Sequence, residues 1–170
     1  MTKLVGILMG SDSDLSVMQE AAKVLEEFDV KYEITVLSAH RTPDRTQTYA
    51  KTAIDRGLKV IIAGAGGAAH LAGVIAAGTT LPIIGVPIHS KLDGIDSFVS
   101  TLQMPPGIPV ATMAIDGAKN AGLLAVEILA TADESLANKL ARYKGTMAQS
   151  VNEKAKKLEE FGFKKYLESK

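Results

Sequence analysis

Residues 60–88 read VIIAGAGGAAHLAGVIAAGTTLPIIGVPI, and the way this stretch divides decides the fold. It holds no Asp, Glu, Lys or Arg and is long enough to cross a bilayer as one helix. Its punctuation argues against that. Gly64, Gly66, Gly67, Gly73, Gly78 and Gly85, with Pro82 and Pro87, break it into strand, loop, helix, turn and strand. The strands, at 60–63 and 81–86, are apolar runs without alternation, as strands covered on both faces of a parallel sheet are. The helix between them, at 68–77, is made of small residues and closes at Gly78.

The same alternation extends outward. Residues 4–9 are a short apolar strand, followed by a helix whose Met18, Ala21, Leu25 and Phe28 recur at helical spacing. Residues 32–37 alternate and are rich in β-branched side chains, which predicts a second strand. Thr42 is then placed to cap a helix and Pro43 suits its first position; that helix runs from 43 to about 55, with Tyr49, Ala50 and Ala53 inward and Gly57 closing it. The longest connection, 88–107, mixes charge, glycine and proline around a short helix at 95–102. A fifth strand at 109–115 and a helix at 118–131 complete the pattern.

Strands with helical crossovers predict an α/β protein, a flavodoxin-like three-layer αβα sandwich on a five-stranded parallel sheet of order 2-1-3-4-5. From Asp133 onward a C-terminal amphipathic helix carries Leu136, Leu140, Tyr143, Met147 and Val151 on one stripe, expected to pack on its own domain or on a sister subunit. Residues 1–170 are expected to form a single domain, with a catalytic core over about 1–131 and a helical extension over about 132–170.

The chain is long enough to bury a real core. Nineteen basic and nineteen acidic residues leave no net charge, so neither nucleic acid nor an anionic membrane is expected as a partner. With no cysteine, disulfides, thiolate nucleophiles and cysteine-based zinc sites drop out together, which fits a cytoplasmic enzyme. Lys3 and the apolar run after it are too short for a signal peptide, stopping at Ser11-Asp12-Ser13-Asp14. Three histidines remain as scarce chemical resources.

In a sheet of this order ligands bind beyond the carboxyl ends of the strands, at the switch point, where the loops after strands one, two and three become neighbours. Those loops read Gly10-Ser11-Asp12-Ser13-Asp14, Ser38-Ala39-His40-Arg41 and Gly64-Ala65-Gly66-Gly67-Ala68-Ala69-His70. Helix starts offer unpaired N–H groups and a positive dipole end, which suit phosphate. Ser11 and Ser13 add hydroxyl donors, Arg41 adds a charged fork, and Asp14 can accept from ribose hydroxyls, so a nucleotide monophosphate is the natural guest. Ser13 or Asp14 can equally cap the following helix, and the two roles can coexist.

Asp12 and Asp14, without a further acidic ligand, make a poor magnesium site, so no metal is expected. Residues 64–69 fit the dinucleotide pattern G-x-G-x-x-A but follow the third strand, and no acidic residue lies about twenty positions on. No cofactor is expected; the glycines instead let backbone lie on a small planar ligand. His40, set among serine, arginine and a helix start, is the candidate proton-transfer group. His70 opens a helix and either orients the ligand or caps; His89 reads as peripheral.

MGSDSD, SAHRTP, AGAGGAAHL, LPIIGVP and Gln103-Met104-Pro105 occur in that order. As a set they resemble the first class of the PurE family, the N5-carboxyaminoimidazole ribonucleotide mutases of purine biosynthesis, over about residues 4–131. Ala72 departs from the family by standing where proline is frequent. The resemblance implies movement of a carboxylate from nitrogen to carbon without a cofactor, with His40 as the one general acid and base. It implies nucleotide contacts from Ser11, Asp14 and Arg41, a pocket lined by Ser13, Ser38, Ala39, Gly66, Gly67 and Ala68, and a supporting role for His70. It also implies a homo-octamer with sites at subunit boundaries. The alternatives are an aminoimidazole ribonucleotide carboxylase using free CO2, against which Arg41 and the GGAAH loop argue, and a non-catalytic nucleotide-binding module.

Overall fold

The computed structural model describes residues 3–169. Five parallel strands form one sheet: β1 (Val5–Met9), β2 (Tyr32–Val36), β3 (Val60–Gly66), β4 (Ile83–Ile88) and β5 (Ala111–Thr112), ordered β2-β1-β3-β4-β5 as the sequence predicts. Every residue of β1 and β4 and the first five of β3 are buried, which is why these segments are apolar on both faces. β2, at the sheet edge, leaves Ile34 and Val36 exposed.

Five helices accompany the sheet: α1 (Leu15–Glu27), α2 (Pro43–Thr52), α3 (Leu71–Gly78), α4 (Ile95–Leu102) and α5 (Ala118–Ala130). Alternation along each strand sorts the side chains into two layers. Leu8, Ile61, Ala63 and Ile83 pack with Ala50 and Ala53 of the α2 segment and with Leu71, Ala72 and Ile75 of α3. Each large aliphatic side chain so buried contributes about 1.5–3 kcal/mol. On the other face a Cβ at Gly64 would strike Met18 of α1, and one at Gly122 of α5 would lie 2.9 Å from the Ala21 carbonyl oxygen, so α5 is seated closely on α1. Flavodoxin-like layering follows.

Several boundaries differ from the expected ones. β3 runs on to Gly66 because Gly64, Ala65 and Gly66 pair in register with Val86, Pro87 and Ile88, which also shifts β4 toward its carboxyl end. α3 consequently begins at Leu71 rather than at 68, after tight turns in which Ala69 N–H donates to Gly67 O and His70 N–H to Ala68 O, both at 2.8 Å. β5 shrinks to two residues, paired to β4 through Ile84↔Ala111 and Gly85↔Thr112. α2 ends at Thr52 and turns carry the chain to Gly57, whose φ of 90° suits glycine.

Two compact units divide after Leu129. The second contains α6 (Glu134–Glu168), capped by Asp133, whose Oδ1 accepts the Leu136 N–H at 3.1 Å. The expected stripe is buried only at its start. Leu136 and Leu140 are buried, whereas Met147 and Val151 are 46% and 62% exposed. Helical geometry breaks at Gly162 (φ 68°, ψ 161°). Among the described residues no helix is long and apolar enough to cross a membrane.

Candidate functional site

β1 leads into Gly10, whose N–H donates to Gly64 O at 3.0 Å and so ties the first loop to β3. The next residues close a capping box around a single 3-10 turn, Asp12–Asp14: Ser11 Oγ accepts the Ser13 N–H and Asp14 Oδ2 accepts the Ser11 N–H at 3.1 Å. The cap is therefore Ser11, not Ser13, and Asp14 makes the reciprocal bond while sitting at the start of α1 without capping it. Asp14 is only 8% exposed; burial pushes its carboxyl above the usual range, against the hydrogen bonds from Ser11 and Ser13 that favour the charged form.

The second loop is organised by Ser38. Its Oγ accepts from Arg41 N–H at 3.2 Å and Arg41 Nε at 3.3 Å, while Arg41 Nη2 donates to Gly10 O at 3.2 Å and bridges the first two loops. Thr42 stands at the helix start, yet its hydroxyl caps nothing; it donates to Ser38 O at 2.9 Å and accepts the Ser38 N–H at 3.1 Å. The turn holding His40 and Arg41 is thus closed by its own hydroxyls. Among the described residues Arg41 has no carboxylate partner.

His40 and His70 join the second loop to the third. His40 Nε2 lies 2.9 Å from His70 Nδ1, with the rings edge-on at 80° and centroids 4.9 Å apart. Two imidazole nitrogens at this distance are within hydrogen-bond reach, with either ring able to be the donor. A cavity of about 540 Å3 opens over this contact, within the range of small-molecule sites. Ser11, Ser13 and Asp14 line it from the first loop, Ser38, Ala39, His40 and Arg41 from the second, and Gly66, Ala68 and His70 from the third.

Gly67 is the exception among the residues expected there. It does not line the cavity; with φ at 60° it turns the chain so that its neighbours do. Gly10 and Ala65, read from the sequence as part of the converging loops but given no contact, line the same space, as do Leu71, His89 and Ser90, which were not expected there. His89, expected to be peripheral, reaches the cavity because β4 ends two residues later than the strand read from the sequence. Its N–H donates to Asp116 Oδ1 at 2.9 Å, and Ser90 Oγ lies 2.7 Å from both oxygens of Asp96, holding that carboxyl below the usual range. A fourth strand-to-helix loop thus joins the site, signalled in the sequence only by its place at the end of the next strand. Among the described residues no three His, Asp or Glu side chains converge as metal ligands would.

Comparison with known proteins follows the same geography. The model of the AIR carboxylase family matches residues 4–150. The N5-carboxyaminoimidazole ribonucleotide mutase of Pyrococcus horikoshii is 64% identical over 165 residues, covering 96% of this chain and 93% of that protein. The phosphoribosylaminoimidazole carboxylase of Schizosaccharomyces pombe is 60% identical over 164 residues, covering 96% of this chain but 30% of that protein. A crystal structure of Treponema denticola PurE superposes with a TM-score of 0.83 at 33% identity, covering 92% of this chain and 98% of that one.

Proposed function

The chain belongs to the AIR carboxylase family, and on that premise we propose that it is an isomerase of purine biosynthesis, converting N5-carboxyaminoimidazole ribonucleotide to 4-carboxy-5-aminoimidazole ribonucleotide. The observation that carries this reading is the hydrogen-bonded pair His40 and His70, Nε2 to Nδ1 at 2.9 Å, inside a cavity whose other walls suit a nucleotide. The reaction needs one proton out and one proton back. His40 gives its proton to the carbamate nitrogen as the C–N bond breaks, the electron pair staying on nitrogen and CO2 leaving. C4 of the resulting aminoimidazole attacks CO2, and the C4 proton returns to His40. General acid–base help of this kind is worth about 10²–10⁴-fold. His70, hydrogen-bonded through Nδ1 to His40 Nε2, keeps that ring oriented between the two transfers.

Retention of CO2 is the second demand. Gly66 and Ala68 present backbone and a methyl group rather than long side chains, so the imidazole can lie close to the third loop with little room for water. Ser11, Asp14 and Arg41 hold the ribose and phosphate; Ser13, Ser38 and Ala39 complete that wall. No metal or cofactor takes part in this scheme.

Labelled bicarbonate tests the reading against the carboxylase alternative. Substrate carboxylate should appear in product without exchange; obligatory incorporation of label at the rate of turnover would reject the mutase. The carboxylase alternative is not favoured, since the relative matched over nearly its whole length is a mutase and the chain spans under a third of the fungal carboxylase. The reading extends to one cytoplasmic domain assembled as a homo-octamer. Leu92, Ile95, Val99 and Leu102, exposed along α4 and the turn before it, offer an apolar face for such assembly. Sedimentation of a fully active monomer would remove the octamer.

A further inference from the structure

Arg45 is a cation that the chemistry above leaves unused. A second cavity of about 470 Å3 adjoins the first, sharing Gly10, Ser11, Ser38 and Arg41 and adding Arg45, Thr42, Val36 and Asp12. Arg41 borders both spaces. Its Nε and Nη2 are held by Ser38 Oγ and Gly10 O, so the guanidinium is oriented while its remaining N–H groups stay available. Arg45 is exposed and makes one long contact, Nη2 to Thr35 Oγ1 at 3.4 Å. Neither guanidinium has a carboxylate partner among the described residues. Asp12 brings a carboxylate to this cavity and accepts from Ser11 Oγ at 3.2 Å, so two cations face one anion.

An excess of positive charge beside a ligand cavity, in forks that match tetrahedral oxyanions, calls for an anionic group on the same ligand. The geometry points to Arg45 as a phosphate ligand: the imidazole occupies the first cavity beside His40, and the phosphate monoester seats in the second between Arg41 and Arg45. This rests on the ribotide reading of the site. It assigns Arg45 to affinity for the phosphorylated substrate and leaves the proton chemistry to the histidines.

The test compares aminoimidazole ribonucleotide with its dephosphorylated nucleoside, titrated against the wild type, Arg45→Ala and Arg45→Lys, each also sedimented. The wild type should prefer the ribonucleotide. Arg45→Ala should lose about tenfold of that preference, with nucleoside affinity unchanged, because a charge-assisted contact to phosphate is removed. Arg45→Lys should recover part of it as a point charge. Equal losses for both ligands, or none, would overturn the assignment, as would an altered sedimentation coefficient with the preference intact, which would place Arg45 between copies of the chain. A wild type that binds ribonucleotide without interconverting the two carboxylated forms would instead remove the mutase reading, while the affinity ratio still decides the role of Arg45.

Discussion

The loops after β1 and β2 and the loop after β3 border one cavity and build it by opposite means. The first two present side chains: Ser11 and Asp14 locked in a capping box, Ser38 and Arg41 locked to each other and to Gly10. The third presents Gly66 and Ala68 beside His70, with Gly67 making the turn. The difference follows from what each is proposed to hold. Charged phosphate and ribose hydroxyls need directed donors and acceptors, whereas a flat ring and a CO2 molecule need close, featureless walls. Side chains can be removed one at a time; a backbone wall fails only when its conformation does.

That contrast breaks most severely at the histidine linking the two styles of loop. His40→Asn should lower turnover at least about 10³-fold in steady-state assays while ribonucleotide affinity in direct titration stays within about threefold. Persisting turnover would move the chemistry off this residue. Next comes Arg41→Ala, expected to weaken ribonucleotide binding about 10- to 100-fold, with a smaller change in kcat, because a phosphate contact holds substrate and transition state alike.

A backbone change in the third loop should act through conformation. Gly67→Ala puts a Cβ where nothing lies within 4 Å, so its cost is the left-handed φ of 60°, about 1 kcal/mol. Thermal unfolding should register a loss of roughly 2–4 °C, and turnover should fall although no ligand contact has been deleted. A variant as stable and active as the wild type would show that the turn needs no glycine.

The smallest effect is a change of slope. Burial raises the Asp14 carboxyl above its ordinary value of 3.8, so the folded state holds that proton more tightly than the unfolded chain does. Its contribution to stability therefore declines as pH climbs from 3.8 through the raised value, then stays level. Asp96 runs the other way. Ser90 hydrogen-bonds its charged form, giving stability that is present above 3.8 and lost as pH falls through the lowered value. Urea unfolding from about pH 2.5 to 6 should show Asp14→Asn removing the first slope and leaving the second. An identical pH profile in the variant would contradict the raised carboxyl.

Legibility differed between these regions for a physical reason. The polar loops could be read because clustered hydroxyl residues, a proline at the helix start and a histidine beside an arginine are local signals, even though Thr42 closes the turn on Ser38 rather than capping α2: His40, Arg41, Ser11 and Asp14 all line the cavity as placed. The glycine loop could not be divided so well. Nothing local says whether Gly64–Gly66 is loop or strand; pairing with Val86, Pro87 and Ile88 makes it strand. The same pairing draws β4 forward and brings His89 and Ser90 to the cavity, which the sequence reading had set aside. Arg45, an ordinary helix-surface arginine in the sequence, acquires meaning only from the cavity it shares with Arg41.

Sequence by itself determined the α/β class and the identity of the histidine and arginine loops, since apolar runs and glycine or proline punctuation act over a few residues; the strand order followed as an expectation from the rules for helical crossovers. Tertiary structure alone decided where β3 stops, that Gly67 turns away while His89 faces in, and that His40 meets His70 nitrogen to nitrogen. Those outcomes depend on register between segments distant in the chain, and register is set by which backbone groups pair across the sheet.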